Sequence, residues 1–487
     1  MMLGKIVFYF WAALNMILFF YICVEIVLLI FALLAKKKNT KPNLKKYPKV
    51  TIQLPIYNEK YVVERLIDAV CKLNYPKDKL EIQVLDDSTD ETSQLISNKV
   101  SYYQTKAIDI KHIQRENRTG FKAGALDYSM KFCKGDFIAI FDADFIPDSE
   151  FLQHAVPYFQ DEKIGVVQSR WTHINKDFSF ITRAQAIMFN THFSVEQLGR
   201  TTSKAYINFN GTAGIWRKSC IEDAGGWQAD TLTEDLDLSF RAQIKGWTFK
   251  YLFDVESPAE LPITVDAYKT QQYRWSKGAA ECVRKNLKNL WKSPASLWAK
   301  LAGSVHLFNS SVFIIVFLLV ITSPFVFWMT KEEIIIINNI EIVYFISLFI
   351  NGGLFFLFFF GHLMAVKKKW KEALLFLPNF YIFLALSVGI SLYMVIGVLE
   401  GYFGKVSEFV RTPKYNINSK VNIQKKQDYA FKKEQNIAFL EFFVLCYGLF
   451  TLILGCYYVD FFIINYGLII FLGYSLKLFF PKYIFKF

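Results

Sequence analysis

The chain has 487 residues, of which 53% are hydrophobic, and its formal net charge is +13. This length allows one sizeable soluble domain and several membrane spans, and the hydrophobic fraction excludes a wholly soluble protein. Long apolar runs occupy the first forty or so residues and most of the chain after about residue 300, whereas residues 47–291 have the mixed composition of a soluble domain.

Lysine and arginine residues lie beside the apolar runs, in clusters at 36–38, 367–369, 425–426 and 432–433. Basic residues are enriched in this way on the cytoplasmic flanks of membrane spans, so the net charge indicates membrane topology and not a nucleic-acid partner. The seven cysteines include no CxxC pair and the six histidines no HxxH pair. Neither a disulfide framework nor a zinc site is indicated.

The first apolar run, residues 6–35, is longer than the core of a signal peptide and has a basic cluster behind it. We therefore expect a retained transmembrane helix whose N-terminus lies outside. This orientation would place the chain from residue 47 onward in the cytoplasm.

From residue 50 onward, short runs rich in Val, Ile and Phe alternate with helical patterns. Such alternation predicts an α/β domain with a Rossmann-like, mostly parallel sheet, in which ligands bind at the carboxyl ends of the strands. The expected strands are 50–58, 81–87, 110–114, 137–144 and 164–171, and the expected helices include 59–73 and 121–132.

The apolar run at 373–402 lies between two basic segments, which both favour the cytoplasm, and it contains Pro378, Gly389 and Gly397. We therefore expect it to lie at the interface or to re-enter the membrane, and not to cross it. The predicted regions are an N-terminal transmembrane helix with its basic flank (1–46), the soluble domain (47–291), two transmembrane helices (292–366), the interface or re-entrant segment with a loop (367–436), and a transmembrane hairpin (437–487).

Two carboxylates, Asp142 and Asp144, follow an expected buried strand in the sequence FIAIFDADF. Carboxylate oxygens are the ligands that Mg²⁺ and Mn²⁺ prefer, and such an ion can neutralise the diphosphate that leaves when a nucleotide sugar is cleaved. A DxD pair alone could equally be an exposed turn. Its place at the end of a strand in an α/β alternation favours a nucleotide and metal site.

The sequence TEDLDLSFRAQIKGW predicts a helix that Thr233 opens, with Glu234 and Asp235 in its first turn. One such carboxylate could take the proton from an acceptor hydroxyl. The alternative is that acidic residues in a first turn only complement the helix dipole. A transferase whose metal holds the leaving diphosphate needs one base, and we assign that role to Asp235.

The pentapeptide QQYRW supplies Gln271 and Arg274, which can bind phosphate oxygens, and Trp275, whose flat face can stack on a sugar. The alternative is a helix at the membrane surface with its Trp in the interface. Lys122, after the strand at 110–114, is a further cation suited to a nucleotide or diphosphate; the alternative is an exposed lysine.

Residues 50–284 resemble glycosyltransferase family 2, and above all its processive membrane synthases: cellulose synthase, hyaluronan synthase and the plant cellulose-synthase-like A and C proteins. The resemblance implies a GT-A fold and an inverting transfer. It runs through QLPIYNE, VLDDSTDET, NRTGFKAGAL, AIFDADF, VVQSRW, FNGTAGIWR, DAGGW, TEDLDL, KGW and AYKTQQYRWSKG.

The resemblance also implies a role for each matching residue. The acceptor pocket would be lined by Gly211, Thr212, Glu234 and Trp275, with Asp235 as the catalytic base. The donor would be bound by Tyr57 and Asp86 or Asp87 at its base and ribose, by Lys122 nearby, by Asp142 and Asp144 at the nucleotide and metal, and by Gln271 and Arg274 at the pyrophosphate.

The sequence FVRTPK, residues 409–414, resembles the gating loop FxVTxK of cellulose synthase. Phe409, Thr412 and Lys414 match that pattern, whereas Arg411 stands where the family has Val. The resemblance implies a lid over the donor site. The alternative is a basic loop that touches lipid headgroups.

The expected protein is a multi-pass membrane hexosyltransferase of the bacterial inner membrane or a Golgi-type membrane, with its catalytic domain in the cytoplasm. We expect it to polymerise a β-1,4-linked mannan, glucan or glucomannan from a UDP- or GDP-hexose with Mg²⁺ or Mn²⁺, and to translocate the polymer. Its expected partners are the nucleotide-sugar donor, the growing glycan acceptor and membrane lipid. The alternative activity is transfer of one sugar to a membrane lipid; a non-catalytic transporter is disfavoured because every expected catalytic position is filled.

Overall fold

The computed structural model of the protein describes residues 2–35, 42, 44, 46–336, 340–407, 409–417 and 437–480. The basic clusters at 36–38, 425–426 and 432–433, on which the predicted topology partly depends, lie outside these residues.

One seven-stranded sheet forms the centre of the soluble domain, with the strand order β3-β2-β1-β4-β6-β5-β7. All neighbours are parallel except β6, which runs antiparallel to both β4 and β5. The predicted mostly parallel α/β sheet is thus confirmed. The strands are β1 (Val50–Ile56), β2 (Leu80–Asp86), β3 (Ile110–Gln114), β4 (Phe137–Ile140), β5 (Ile164–His173), β6 (Gly214–Arg217) and β7 (Thr248–Ala259).

The five predicted strands correspond to β1–β5, and two strands were missed. Strand β6 has only four residues, which is too few to show a period in the sequence. Strand β7 lies at the edge of the sheet, and most of its side chains are partly exposed. Its mixed polar and apolar sequence therefore lacks the continuous apolar run that identifies a buried parallel strand.

Helices cover both faces of the sheet and continue into a helical bundle. The two helices that were predicted at 59–73 and 121–132 are present but shorter. The α-helices are α1 (Met2–Leu34), α2 (Val63–Val70), α3 (Thr92–Gln104), α4 (Phe121–Met130), α5 (Phe151–Ala155), α6 (Phe180–Thr191), α7 (Leu198–Thr202), α8 (Lys218–Asp223), α9 (Glu234–Ile244), α10 (Val265–Lys292), α11 (Leu297–Phe308), α12 (Val312–Lys331), α13 (Ile340–Ala365), α14 (Lys369–Phe403), α15 (Ala438–Tyr457) and α16 (Phe461–Phe479).

The hydrophobic core of the soluble domain lies on both sides of the sheet. On one side, helices α2, α3 and α5 pack on alternate residues of the strands, with Leu66 and Ile96 fully buried. On the other side, α4, α8 and α9 contribute Leu126, Cys220 and Leu238. Because both faces are covered, the central strands are almost wholly buried, and buried polar side chains such as Gln53 and Glu81 interrupt their apolar runs.

Six described helical segments are long and apolar enough to cross a membrane. They support a membrane protein with a helical bundle beside the soluble domain. These segments, identified by their length and composition, are Met2–Leu34, Leu297–Lys331, Glu341–Ala365, Lys369–Phe403, Ala438–Tyr457 and Phe461–Phe479.

The segment predicted at 373–402 belongs to α14, which is one helix of 35 residues that continues through Pro378. A re-entrant segment needs a chain reversal, and α14 has none. Its placement at the membrane interface stays a prediction.

Close helix packing joins the bundle to the soluble domain. Helix α10 lies along α14, where Gly401 approaches the backbone carbonyl of Lys277 and Gly397 approaches the ring of Tyr273. Helix α1 packs on α7, and Glu25 of α1 lies 3.8 Å from the guanidinium of the fully buried Arg200. The QQYRW sequence on α10 is therefore held between the sheet and the bundle.

Candidate active site

Asp142 and Asp144 follow β4 at the carboxyl end of the sheet, as predicted. The Oδ1 atom of Asp142 lies 2.6 Å from Nζ of Lys122, and Oδ2 of Asp144 lies 2.6 Å from Nζ of Lys414. Each carboxylate is thus paired with one ammonium group. The region that these two acids share with the residues described below is here called the cleft.

Lys122, at the start of α4, joins three parts of the cleft. Its ammonium group contacts Asp142, donates to the carbonyl oxygen of Gly211 at 2.9 Å, and lies 4.0 Å from Glu234. Burial disfavours the ammonium form, but the carboxylates of Asp142, Glu234 and Asp235 together raise the pKa of Lys122. Lys122 therefore stays charged at neutral pH and can hold negative groups in the cleft.

Helix α9 begins at Glu234 and carries both predicted acids in its first turn. Thr233 occupies the position before the helix, but its side chain makes no capping hydrogen bond; its Oγ1 atom lies 3.4 Å from Sγ of Cys282. Thr233 therefore stands at the predicted start of the helix, although its side chain does not cap it. Thr233 is instead packed against α10, where a Cβ atom on Gly278 would lie only 2.6 Å from its side chain.

The carboxyl groups of Glu234 and Asp235 lie in the recess beside Lys122. Burial, followed by the adjacent charge of Glu234, raises the pKa of Asp235 to about 7, against the opposing effect of Lys122. Burial also raises the pKa of Glu234. A carboxyl group with a pKa near neutral is suited to general base catalysis, because it is partly ionised and still basic enough to take a proton.

The loop before β6 brings Gly211 and Thr212 to the same recess. Gly211 has φ +78°, and a Cβ atom there would lie 3.0 Å from Oδ2 of Asp235. The hydroxyl of Thr212 accepts a hydrogen bond from the backbone N–H of Asp142 at 2.9 Å. Helix α9 holds this loop, because the backbone N–H of Phe209 donates a hydrogen bond to the hydroxyl of Ser239. It therefore connects the DxD acids to Asp235.

Helix α10 carries Gln271, Arg274 and Trp275 within a stretch of five residues, and of these Arg274 contacts the cleft residues directly. Arg274 donates to the hydroxyl of Thr412 at 3.1 Å, and its Nε atom has no hydrogen-bond partner among the described residues. Burial lowers the pKa of Arg274 to about 10, so the guanidinium remains charged. The Trp275 ring meets the edge of Phe189 at 5.8 Å. A buried cation with an unpaired donor can bind an anion.

The residues predicted for the nucleoside end lie at the other side of the cleft. Asp86 is almost fully buried, and its oxygens are engaged by Ser93 and Gln114 and by the N–H of Ser88. Hydrogen bonds, including that with His112, outweigh burial and lower the pKa of Asp86 to about 2. This carboxylate supports the ends of β2 and β3 from inside the sheet.

Asp87 is the neighbour of Asp86 at the surface of the cleft, where Arg115 contacts both of its carboxylate oxygens. The guanidinium of Arg118 lies 3.4 Å from the centre of the Tyr57 ring. An aromatic face, a carboxylate and two cations therefore meet at this end, although the sequence singled out only Tyr57 and Asp87.

Residues 409–417, here named the covering segment, lie over the cleft. Phe409 packs on the ring of Phe121 at 5.9 Å and on the guanidinium of Arg274 at 4.5 Å. Thr412 accepts from Arg274, and Lys414 pairs with Asp144. The structure thus brings the predicted gating residues to the predicted donor residues.

Arg411, which departs from the cellulose synthase pattern, has a partner within the cleft. It lies 2.9 Å from Oε2 of Glu59 and also contacts the backbone carbonyl of Asn58. Burial raises the pKa of Glu59 to about 8 despite Arg411 and Lys414. Glu59 was not singled out as a site residue, although it stands in the motif QLPIYNE.

The DxD acids fit a divalent ion that is shared with a substrate. Among the described residues no three His, Cys, Asp or Glu side chains form a group that could hold a metal alone. Mg²⁺ usually takes only one or two carboxylates and completes its shell with water and substrate phosphates. Asp142 and Asp144 supply two carboxylates, and each of them is paired with the positively charged ammonium group of a lysine.

Comparison with known proteins gives consistent matches. The profile described as "Glycosyltransferase like family 2" matches residues 48–278. Glucomannan 4-beta-mannosyltransferase 9 from Arabidopsis thaliana is 36% identical over 425 residues, which are 84% of this chain and 76% of the relative. Probable glucomannan 4-beta-mannosyltransferase 4 from Oryza sativa subsp. japonica is 44% identical over 274 residues, which are 55% of this chain and 49% of the relative.

Apart from the Arabidopsis alignment over 425 residues, the chain spans about half the length of these curated relatives. Among solved structures, a mannosyltransferase from Pyrobaculum calidifontis in complex with GDP-Man and Mn²⁺ matches with a TM-score of 0.57 and 18% identity. That match covers 81% of this chain and all of the other chain, and it supports the GT-A fold.

Proposed function

Because the chain belongs to glycosyltransferase family 2, we propose that it is a processive, inverting β-glycosyltransferase. Its donor is a nucleoside-diphosphate hexose, and the mannosyltransferase relatives favour GDP-mannose. Its product is a β-1,4-linked mannan or glucomannan. The acceptor is the growing glycan end, and the enzyme works at the cytoplasmic face of a membrane.

The observation that carries this proposal is the position of Lys122. One partly buried ammonium group touches Asp142 and the Gly211 carbonyl and approaches Glu234 beside Asp235. Donor-binding acids, an acceptor loop and a candidate base therefore share one recess. Such convergence supports a single transfer site more strongly than any of the motifs alone.

In the proposed reaction, a hydroxyl of the acceptor sugar attacks the anomeric carbon of the donor. The new C–O bond forms as the bond from that carbon to the diphosphate breaks, with the electron pair leaving on the diphosphate. Asp235 takes the hydroxyl proton. Arg274 and Gln271 stabilise the negative charge of the leaving group, and the ammonium group of Lys122 contributes to the same stabilisation.

A divalent ion fits this scheme at Asp142 and Asp144. When bound there with the donor phosphates, Mg²⁺ or Mn²⁺ supplies Lewis-acid stabilisation of the leaving diphosphate. Lys414 must then give up its contact with Asp144 or share that carboxylate. Because Asp142 and Asp144 are the two carboxylates proposed to hold the ion, and no group of three His, Cys, Asp or Glu side chains is found among the described residues, we expect the ion to bind more tightly in the presence of the nucleoside diphosphate.

Trp275 supports the acceptor assignment. It lies one residue beyond Arg274, and its ring is partly buried beside Phe189. A flat ring held in this way can stack on the terminal sugar and keep its hydroxyl near Asp235. The adjacent helical bundle offers the route by which we propose that the polymer leaves.

The test uses the purified full chain in lipid nanodiscs with radiolabelled GDP-mannose, GDP-glucose or UDP-glucose and Mn²⁺. The proposal expects label in a polymer that endo-β-1,4-mannanase degrades, with 4-linked mannose in linkage analysis. A polymer from UDP-glucose alone would contradict the donor assignment. An organic-soluble product with one sugar would contradict polymerisation and support the lipid acceptor.

A further inference from the structure

Glu260 follows β7 and belongs to none of the motifs that define the candidate site. Its side chain is 2% exposed and meets the C-terminal end of the covering segment. The Oε2 atom accepts from the backbone N–H groups of Tyr415 at 3.1 Å and Asn416 at 3.2 Å. Oε1 accepts from the N–H of Ile417 at 3.0 Å. One carboxylate thus holds three consecutive backbone donors.

The backbone of the covering segment is shaped for this contact. Asn416 has φ +54°, a left-handed conformation that asparagine tolerates better than most residues. Successive N–H groups that converge in this way form an anion-binding concavity. The side chains on either side, Tyr415 and Ile417, are buried against Ile263. The segment is therefore docked by both apolar contacts and a charged anchor.

Arg65 connects this anchor to the DxD site. Its NH1 group lies 3.1 Å from Oε1 of Glu260 and 2.7 Å from Oδ1 of Asn416. Its NH2 group donates to the backbone carbonyl of Asp144 at 3.3 Å. The guanidinium compensates the buried charge of Glu260, since an unpaired carboxylate there would be costly.

We propose that Glu260 is a positioning residue that docks the covering segment on the soluble domain. Directly before the anchored N–H groups, the segment reaches the donor site: Lys414, one residue earlier, contacts Asp144, and Thr412, three residues earlier, contacts Arg274. Fixing the chain at 415–417 sets where these side chains lie. The catalytic consequence rests on the proposed function, whereas the docking itself does not.

The experiment compares Glu260→Gln with Glu256→Gln in the full chain in nanodiscs. Glu256 lies on β7 and pairs with Arg170 at 2.7 Å, and among the described residues it forms no hydrogen bond or ion pair with the covering segment, so it is the control. A nitroxide label is placed at Val410→Cys, a position that is 39% exposed, after the exposed Cys446 and Cys456 are replaced by alanine. Electron paramagnetic resonance then reports the mobility of the segment.

In Glu260→Gln the carboxylate is replaced by an amide, whose N–H₂ group faces backbone donors and cannot accept from them. The negative charge that interacts with Arg65 and the three N–H groups is also removed. We expect a mobile spectral component that the parent and Glu256→Gln lack. Because charge-assisted hydrogen bonds that hold the segment are lost, we also expect kcat/KM for the donor to fall about tenfold or more. A melting curve of each variant establishes that both proteins are folded at the assay temperature.

Asn416→Ala supplies a second variant, because it lies in the segment itself and leaves the β7 region unchanged. It removes the contact with Arg65 and strains the left-handed backbone, so it should also mobilise the label. Labels that stay immobile in both Glu260→Gln and Asn416→Ala would overturn the docking role. If the donor assignment is wrong, the activity comparison fails while the spectral change remains.

Discussion

Gly278→Ala is expected to reduce turnover by misplacing Asp235. A Cβ atom on Gly278 would lie 2.6 Å from both Cγ2 and Oγ1 of Thr233 and 2.9 Å from its backbone nitrogen. Ordinary contact begins at 3.4 Å, so α10 and the start of α9 must separate by about 0.8 Å. Thr233 immediately precedes Glu234 and Asp235, and a displacement near 1 Å can cost about a hundredfold in rate.

The assay is steady-state transfer from labelled donor, with kcat and KM measured separately. Arg274 and Gln271 stay on α10, so the donor KM should change less than kcat. Gly352→Ala is the matched control, since Gly352 is also helical and has no atom within 4 Å of the added Cβ. A folded Gly278→Ala enzyme with the parent kcat would refute the idea that this contact positions the base.

Three further predictions concern the same recess. Burial raises the pKa of Asp235 to about 7, so the base is mostly protonated below that pH. In a pH–rate profile, kcat/KM should therefore rise about tenfold per pH unit up to about pH 7 and then level off. Lys122→Met should weaken nucleoside-diphosphate binding, measured by calorimetry, by roughly tenfold or more, because Asp142 and Glu234 are left without their shared cation; unchanged affinity would contradict the donor role. Trp275→Ala should shorten the product more than it reduces donor hydrolysis, and equal losses would argue against acceptor stacking.

Much of the fold could be predicted from the sequence because its signals are local. The runs at β1, β2 and β4 are almost wholly buried and rich in apolar residues, and Asp86 at the end of β2 and Asp142 after β4 mark the carboxyl edge of the sheet. The edge strand β7 could not be predicted in this way, because half-exposed strands carry mixed sequences. Strand β6 could not be predicted because its four residues are too few to show a period.

The candidate site shows a similar division. Asp142, Lys122, Asp235 and Arg274 each stand in a recognisable motif, and they do meet in one cleft. Glu260 carries no such signal, because its role depends on backbone N–H groups that are more than 150 residues away in the chain. No spacing rule in a single sequence reports a contact of that kind.

The pairing of Asp86 was also beyond sequence reasoning. Adjacent acids in LDDSTDET are chemically alike, but Asp86 is the last residue of β2 and Asp87 is the first residue beyond it. Asp86 lies inside, bound by Ser93, Gln114 and His112, and Asp87 lies in the cleft with Arg115. The register of β2 against β3 places Gln114 beside Asp86, and a single sequence does not reveal that register.

The most direct test of the proposed mechanism is Asp235→Asn, assayed for sugar transfer and for binding of GDP with Mn²⁺. The asparagine is nearly isosteric but cannot take the acceptor proton. Transfer should fall by roughly 10²- to 10⁴-fold, while GDP affinity stays within about threefold of the parent. Transfer that stays within tenfold of the parent, with GDP binding intact, would contradict Asp235 as the base.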